Sequence, residues 1–554
     1  MSLFKRINDI SNNERSRKAW FSLVFIIFLT LIIIPSVFVV FKMFTEWGLV
    51  SEVFGDAAMM TIIEEALWNS FSIAGIVTVI DVLVGIPMAW IFVRKEFRGK
   101  KYLDTLMDMP LTFPTAVLGI SVVMFWGAPN GIEIPGLGVV LSPYLMLILL
   151  HIIFTYPYMV RSLSAILEQI EPNYETAAMS LSASRFTAVR TITLPLFRAG
   201  LVTGTILCFA RSLSETGGTF IALQIMGVHT TFFTGPTFIA FMKAKEGLDA
   251  ALGPMILISV LMIVFALLLL VVVKLLIMKF KIPVKKVWPQ FGRKLSRGTM
   301  PKLKDAFSIG FLVLVVLLPT FYIFTFLTQS MVNIDYSALL SAIGISFLIA
   351  GVAVAFDIVF GIPVALYIAR KKDTKFGKIL DSLVNVPLII PTTALGFSLF
   401  LFWNSIYSGE SLSLLMVILG HIAFTFPLVV RNISGAVEEV DVSYEEVAMT
   451  LGAKPFQAFS KVLMPIIKSS IVAGMILAFT RSLGETGATV SISSTVKTVP
   501  VYIMDLINIE MEKVNEGLVG DFTEAAFCSI VLIVICFGFM LALRYMINRG
   551  GRHA

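Results

Sequence analysis

The sequence is short of charge, cysteine and histidine, and each shortage excludes something. Charged residues make up 14% of the 554 and apolar residues 57%. Soluble domains carry roughly 25% and 45–50%. The chain lies well outside that range, which excludes an ordinary water-exposed domain. Its three cysteines, Cys208, Cys528 and Cys536, sit in apolar stretches and offer neither a disulfide framework nor metal-ligand spacing. The four histidines, His151, His229, His421 and His553, are scattered. No metal site and no cofactor are therefore expected. A phosphate-binding Gly-x-x-x-x-Gly-Lys-Ser/Thr run is absent, so the chain is not expected to hydrolyse ATP. No nucleophile–base constellation points to a membrane-embedded enzyme either.

What is present comes in long apolar runs. Phe21–Phe41 holds no charge over about twenty residues, enough to cross ~30 Å of hydrocarbon as a helix. It is too long for a signal-peptide core and no small-residue cleavage site follows, which predicts a retained helix. Taking it as 20–42, further segments fall near 68–93, 105–126, 141–160, 197–220 and 252–278. A second set falls near 306–328, 338–369, 382–403, 411–430, 469–490 and 523–547. The pattern predicts an all-α membrane protein of about twelve spans. Basic residues then gather on one side: Lys5, Arg6, Arg15, Arg17 and Lys18; Arg94, Lys95, Arg98, Lys100 and Lys101; Arg370, Lys371, Lys372, Lys375 and Lys378; and Arg544, Arg549 and Arg552. This distribution predicts both termini in the cytoplasm. It also accounts for the net charge of +7 without nucleic acid.

The two halves repeat each other. Asp81-x-x-x-Gly85-x-Pro87 returns as Asp357-x-x-x-Gly361-x-Pro363, and His151, Thr155, Pro157 and Arg161 return as His421, Thr425, Pro427 and Arg431. Six spans per half make the repeats parallel in the membrane, with a pathway expected between them. The expected division is a first half at 1–278, a basic linker at 279–305 and a second half at 306–554.

Three duplicated motifs stand out. Between spans four and five, 171–195 carries Tyr174-Glu175-Thr176-Ala177-Ala178-Met179-Ser180-Leu181-Ser182 and reaches Leu194-Pro195. Its counterpart, 441–465, carries Tyr444-Glu445-Glu446-Val447-Ala448-Met449-Thr450-Leu451-Gly452 and reaches Met464-Pro465. This reads as a short helix, a small-residue turn and a second helix. Glu175 suits the first helical turn, and Gly452 suits a left-handed helix stop. A single copy is equally well an amphipathic connector; two matched copies point to a docking element. Spans five and eleven carry Arg211-Ser-Leu-Ser214-Glu215-Thr216-Gly217 and Arg481-Ser-Leu-Gly-Glu485-Thr486-Gly487. Each Arg–Glu pair is four apart and able to meet on one face, either as an internal lock or as a polar lining of a pathway. Spans three and nine open with Pro110-Leu-Thr112-Phe-Pro114-Thr115 and Pro387-Leu-Ile-Ile-Pro391-Thr392-Thr393. Paired prolines bend a helix, and the hydroxyls either satisfy the freed backbone or offer donors to a passing anion.

The 171–195 and 441–465 segments resemble the coupling loop of type I ATP-binding-cassette importer permeases, whose pattern is Glu-Ala-Ala, three residues, Gly, then a hydrophobic-Pro pair. The resemblance covers most of both halves. It implies that the loops dock into grooves of two ATPase subunits, through Glu175, Ala177, Ala178, Ser182 and Pro195 and through Glu445, Ala448, Gly452 and Pro465. It also implies an extracellular or periplasmic substrate-binding protein and a place in the cell membrane. Thr176, Ser182 and Val447 depart from the pattern, Ser182 standing where the family has glycine. The Pro-Thr and Arg-Ser-Leu-x-Glu runs look most like the sulfate, thiosulfate, molybdate and tungstate branch; fused permeases for ferric iron and thiamine share the layout. A rival class is an ion-gradient-driven secondary transporter, in which the Arg–Glu pairs would be ion sites. The paired coupling segments have no purpose in that mechanism.

Overall fold

The computed structural model describes residues 8, 11–127, 141–245, 247–279, 299–328, 334–407, 412–518 and 520–550. These are 86% helical and include no strand, as an all-α membrane protein requires. Eight helices are long and apolar enough to cross a membrane. Three bent pairs raise the number to 11, and the apolar Thr523–Phe539 stretch of the last helix completes a set of about 12. Most of the expected linker at 279–305 lies outside the described residues.

The long spans begin where their caps dictate. Span two is Ala57–Arg94, and Asp56 Oδ1 accepts from the Ala58 and Met59 amides at its start. Span eight is Tyr336–Lys371, and Asp335 Oδ1 accepts from the Ser337 and Ala338 amides. Each cap contributes about 1 kcal/mol by satisfying amides that the helix leaves open. Spans four, Pro143–Gln169, and ten, Ser413–Glu439, pack against spans two and eight respectively.

Two expectations need correction. Spans three and nine are not single bent helices. Lys100–Leu111 meets Thr115–Trp126 at 108°, and Lys375–Ile389 meets Thr392–Ile406 at 105°. Pro114 and Pro391 sit at these elbows in extended backbone, where proline ends one helix and starts the next. Spans five and eleven are also interrupted. Arg198–Leu213 is followed by Gly217–Ile225, and Met464–Leu483 by Gly487–Ile492. The Ser214–Thr216 and Gly484–Thr486 tripeptides make the breaks; Glu215 and Glu485 at their centres are flanked by Ser214, Gly484 and two threonines, residues that favour caps and turns over helix interiors.

The first span of each half crosses to the other half. Span one, Glu14–Thr45, stacks Phe21 on Tyr367 at 4.3 Å between ring centroids and Phe28 on Phe426 at 5.3 Å. Span seven, Met300–Thr328, places Phe311 against Tyr156 and Phe321 against Phe113. A π-helical turn precedes the proline in each, Leu29–Ile33 before Pro35 and Leu312–Leu317 before Pro319. Just beyond, a serine of the opposite half wedges into the helix. Ser398 Oγ accepts from Val39 N (2.9 Å) and donates to Pro35 O (2.7 Å). Ser121 Oγ accepts from Ile323 N (2.9 Å) and donates to Pro319 O (2.6 Å). Each hydroxyl replaces one turn of the helix's own ladder.

Removing a wedge lets the helix close its own bond. Ser121→Ala and Ser398→Ala are therefore each expected to cost only about 1 kcal/mol, and their effects to add because they share no partner. Thermal unfolding of the two single variants and the double variant in detergent measures this.

Candidate functional site

The two coupling segments adopt one geometry. In half one, Asn173–Ser180 is a helix that ends in a 6→1 bond from Ala183 N to Ala178 O (3.1 Å) and a 5→2 bond from Ser182 N to Met179 O (3.0 Å). Half two repeats both after Ser443–Thr450, with Ala453 N to Ala448 O and Gly452 N to Met449 O at 3.0 Å each. The stop demands a left-handed residue. Gly452 supplies it at φ 93°, and Ser182 supplies it at φ 68° although serine pays a steric penalty there. Ser182 thus keeps the turn that its glycine counterpart makes. A second short helix follows, and Pro195 and Pro465 stand at the start of the run into spans five and eleven.

Glu175 and Glu445 face inward, while Glu446 is exposed. Glu175 is buried, accepts from Thr193 Oγ1 (2.9 Å) and lies 3.8 Å from Arg94 Nε at the end of span two. Glu445 is bound by Arg370 Nη2 at 2.7 Å at the end of span eight. The same arginines cap the ends of spans four and ten, Arg94 donating to Ile170 O (2.5 Å) and Arg370 to Val440 O (2.8 Å). Sequence reasoning counted Arg94 and Arg370 only as cytoplasmic charge. Their position at the last turn of a long apolar helix, opposite a first-turn glutamate, was the available signal. The outward face is apolar instead. Leu181 is 86% exposed and Leu451 84%, flanked by exposed Tyr174 and Met179, and Tyr444 and Met449. Ala177 is exposed, while Ala178 and Ala448 are half-buried.

The other two motifs meet at the centre of the molecule. Arg211 Nη1 binds Glu215 Oε2 at 2.7 Å across the break in span five, and Arg481 pairs with Glu485 in the same way. The other oxygen of each glutamate accepts an amide of the following helix, Gly218 N at 3.0 Å and Ala488 N at 2.9 Å. The carboxylate thus neutralises the positive start of one helix, while the guanidinium stands at the negative end of the previous one. A histidine from the neighbouring span ties the two pieces together. His151 bridges Ser212 (2.7 Å) and Thr219 (2.9 Å), and His421 bridges Ser482 (2.7 Å) and Thr489 (3.0 Å).

The elbows pack into these breaks. A Cβ on Gly119 would meet Gly218 O at 2.5 Å, and one on Gly218 would meet Thr115 O at 2.5 Å, so the two helices touch backbone to backbone. Across the halves, Thr216 and Thr393 share a hydrogen bond, and Thr392 Oγ1 donates to Ser214 O at 3.1 Å. Thr486 is packed against Gly217, and its hydroxyl has no partner among the described residues. Ala116 stands where half two has Thr393, which explains the missing bond. The Thr112 side chain lies outside the described residues.

A cavity of about 40 Å³ lies beside this seam, towards the coupling segments, and is lined by Arg211, Arg481, Thr115, Pro114, Phe154 and Tyr158 among others. It is large enough for a few waters. Arg211 also lies over the Phe154 ring at 5.1 Å, as Arg481 lies over Phe424 at 5.2 Å. Both guanidiniums line the cavity, whereas Glu215 and Glu485 are buried behind them against backbone amides.

Residues 81–282 and 361–549 match the family described as the binding-protein-dependent transport system inner membrane component. The chain belongs to this family. It is therefore a multi-pass permease of the ATP-binding-cassette importer type, in a family whose members are not themselves catalytic and act with ATPase and binding-protein partners. The permease is 32% identical over 249 residues to the sulfate transport system permease protein CysT of Escherichia coli (strain K12), 42% of this chain and 86% of that protein. It is 33% identical over 159 residues to the molybdenum transport system permease protein ModB of the same strain, 28% of this chain and 69% of that one. It is 28% identical over 248 residues to the molybdate/tungstate transport system permease protein WtpB of Pyrococcus abyssi, 43% of this chain and 93% of that one. Each match covers less than half of the permease.

The coupling turns make a direct test. Gly452→Ala is expected to destabilise its turn by about 1–2 kcal/mol. Ser182→Gly is expected to stabilise its own by less than about 1 kcal/mol, because glycine also loosens the unfolded chain. Hydrogen exchange at the Ala453 and Ala183 amides, which close the two turns, reads both effects.

Proposed function

We propose that the permease forms the translocation pathway of an importer for an inorganic oxyanion of the sulfate, thiosulfate, molybdate or tungstate class, driven by two ATPase subunits. The observation that carries the cargo class is the pair of arginines, Arg211 and Arg481, lining one central cavity while their glutamates are turned onto backbone amides. Each arginine is also paired with its glutamate, so the lining is close to neutral overall, but it presents guanidinium donors rather than carboxylate acceptors to a solute, which suits an anion better than ferric iron or the thiamine cation. The names of the sulfate, molybdenum and molybdate/tungstate relatives support the same class.

In this reading, 1–278 and 306–554 are the two halves, joined by a cytoplasmic linker at 279–305, and both termini are cytoplasmic. The loops at 171–195 and 441–465 each dock into one ATPase. Leu181 and Leu451 are the anchors that enter the partner's groove, since a nearly fully exposed apolar side chain held at the capped end of a short helix suits an apolar pocket on a partner. Glu175 and Glu445 transmit the pull through Arg94 and Arg370 to spans two and eight. The halves then rock, and the seam around Thr216, Thr393 and Thr486 opens.

The test is reconstitution of the permease with ATPase subunits in lipid, across a panel of binding proteins loaded with sulfate, molybdate, tungstate, thiamine or ferric iron. ATPase stimulation by an oxyanion-loaded protein, with matching uptake, is the expected result. Stimulation only by the ferric iron or thiamine protein would refute the cargo class. Transport that follows an ion gradient without ATPase association would refute the importer mechanism. Leu181→Glu with Leu451→Glu is expected to lower ATPase affinity at least a hundredfold, measured by co-purification and titration, while leaving the unfolding midpoint of the permease unchanged.

A further inference from the structure

Lys243 has no place in the machinery described so far. It lies on the helix Gly235–Lys245, which follows span five and packs against Thr392–Ile406 and Gly487–Ile492 of the other half. Its ammonium donates to the carbonyl of Ser491 and sits 4.1 Å from the centroid of the Phe400 ring. No carboxylate pairs with it among the described residues. The residue as a whole is half-buried. A lysine ammonium has three donors and one is in use here. The Ser491 hydroxyl, itself wholly buried, has no partner among the described residues.

The fold does not require this lysine. The Gly235 amide donates to Ser70 Oγ at 2.7 Å, and the matching Val499 amide donates to Ser346 Oγ at 2.9 Å, which fixes the register between the halves. Eight residues on from Gly235 stands Lys243; eight on from Val499 stands Ile507, which is fully buried. The same helix is thus built in half two with an apolar residue. An unpaired ammonium set among protein groups is unfavourable, so its retention in one half calls for something that offsets the cost.

Its position along the pathway suggests what that is. Phe400 is eight residues beyond Thr392, about 12 Å along the helix. Ser491 lies one helical turn beyond Gly487. Lys243 is therefore on the far side of the closed Thr216–Thr393 seam from Arg211 and Arg481. We propose that Lys243 forms a second anion station on the side away from the coupling loops, which the Ser491 hydroxyl, wholly buried in this closed form, joins as the halves separate. The inference rests on the oxyanion reading above. An arriving tetraoxyanion takes the free ammonium donors, gains the serine hydroxyl as the halves separate, and is handed on to the arginine pair.

The full chain, reconstituted with its ATPase subunits and a binding protein charged with sulfate, molybdate or tungstate, tests this with Lys243→Ile, the residue of the matching position, and Lys243→Arg. Lys243→Ile is expected to lower uptake at limiting loaded binding protein on the order of tenfold, with the unfolding midpoint and basal ATPase rate unchanged. Lys243→Arg is expected to retain uptake within about twofold. Uptake by Lys243→Ile equal to that of the unaltered chain would overturn the station and leave the cargo reading intact. Equal loss in both variants with a lowered midpoint would make Lys243 a structural tie and also overturn it. Failure of the unaltered chain to take up any of the three anions would overturn the cargo reading, and the station with it.

Discussion

A helix interrupted at membrane depth leaves amides and carbonyls where water cannot reach them, and each unmet group costs several kcal/mol. This chain interrupts its helices at four places around its centre, at two proline elbows and two hydroxyl-rich breaks. The surrounding chemistry follows from repairing them. Glu215 and Glu485 accept the amides that open the outer helix pieces. Thr392 donates to the carbonyl left by Ser214, and His151 and His421 clasp the pieces from the side. A buried carboxylate then needs a cation, which Arg211 and Arg481 provide. The guanidinium lining of the central cavity is thus the far end of a chain of compensations that starts with a broken backbone. Lock and lining, which the residue spacing leaves as alternatives, are two faces of one ion pair.

The two halves repeat this arrangement closely, down to histidine contacts of 2.7 Å in both. Departures from the repeat are correspondingly informative. Thr393 stands where half one has Ala116, Asn385 takes the place of Asp108 beside the span-ten arginine, and Lys243 stands where half two has Ile507. The fold tolerates either residue at each position. A pathway running between the halves passes one such side chain and not two, so asymmetry here changes what a solute meets without changing the scaffold.

Much of the scaffold was legible in the sequence. The apolar runs and the doubled motifs carry the span count and the two halves. The paired prolines announced bends, but the bend angle depends on packing of Gly119 on Gly218 and of Gly396 on Ala488, which no local pattern records. The breaks in 197–220 and 469–490 stayed hidden although Arg211, Glu215, Arg481 and Glu485 mark them, because an Arg–Glu spacing of four reads as one helix face and hydropathy does not register a helix that stops and restarts. Glu175 read as a contact for a partner by virtue of its motif; its burial against Arg94 depends on two segments far apart in sequence. The exposure of Leu181 and Leu451 was equally hidden, since an apolar residue beside a turn ordinarily packs inward.

The exchange of first spans has a mechanical consequence. Span one is wedged by Ser398 and stacked on Tyr367 and Phe426, while span seven is wedged by Ser121 and packed on Tyr156 and Phe113. In the rocking proposed above, the bodies that swing against each other are therefore not the two stretches of sequence. Each is five helices of one repeat carrying the leading helix of the other as a strap, and the straps cross. Rotation that parts the central seam must slide or flex the connections of both straps together, so the two bodies are geared rather than hinged.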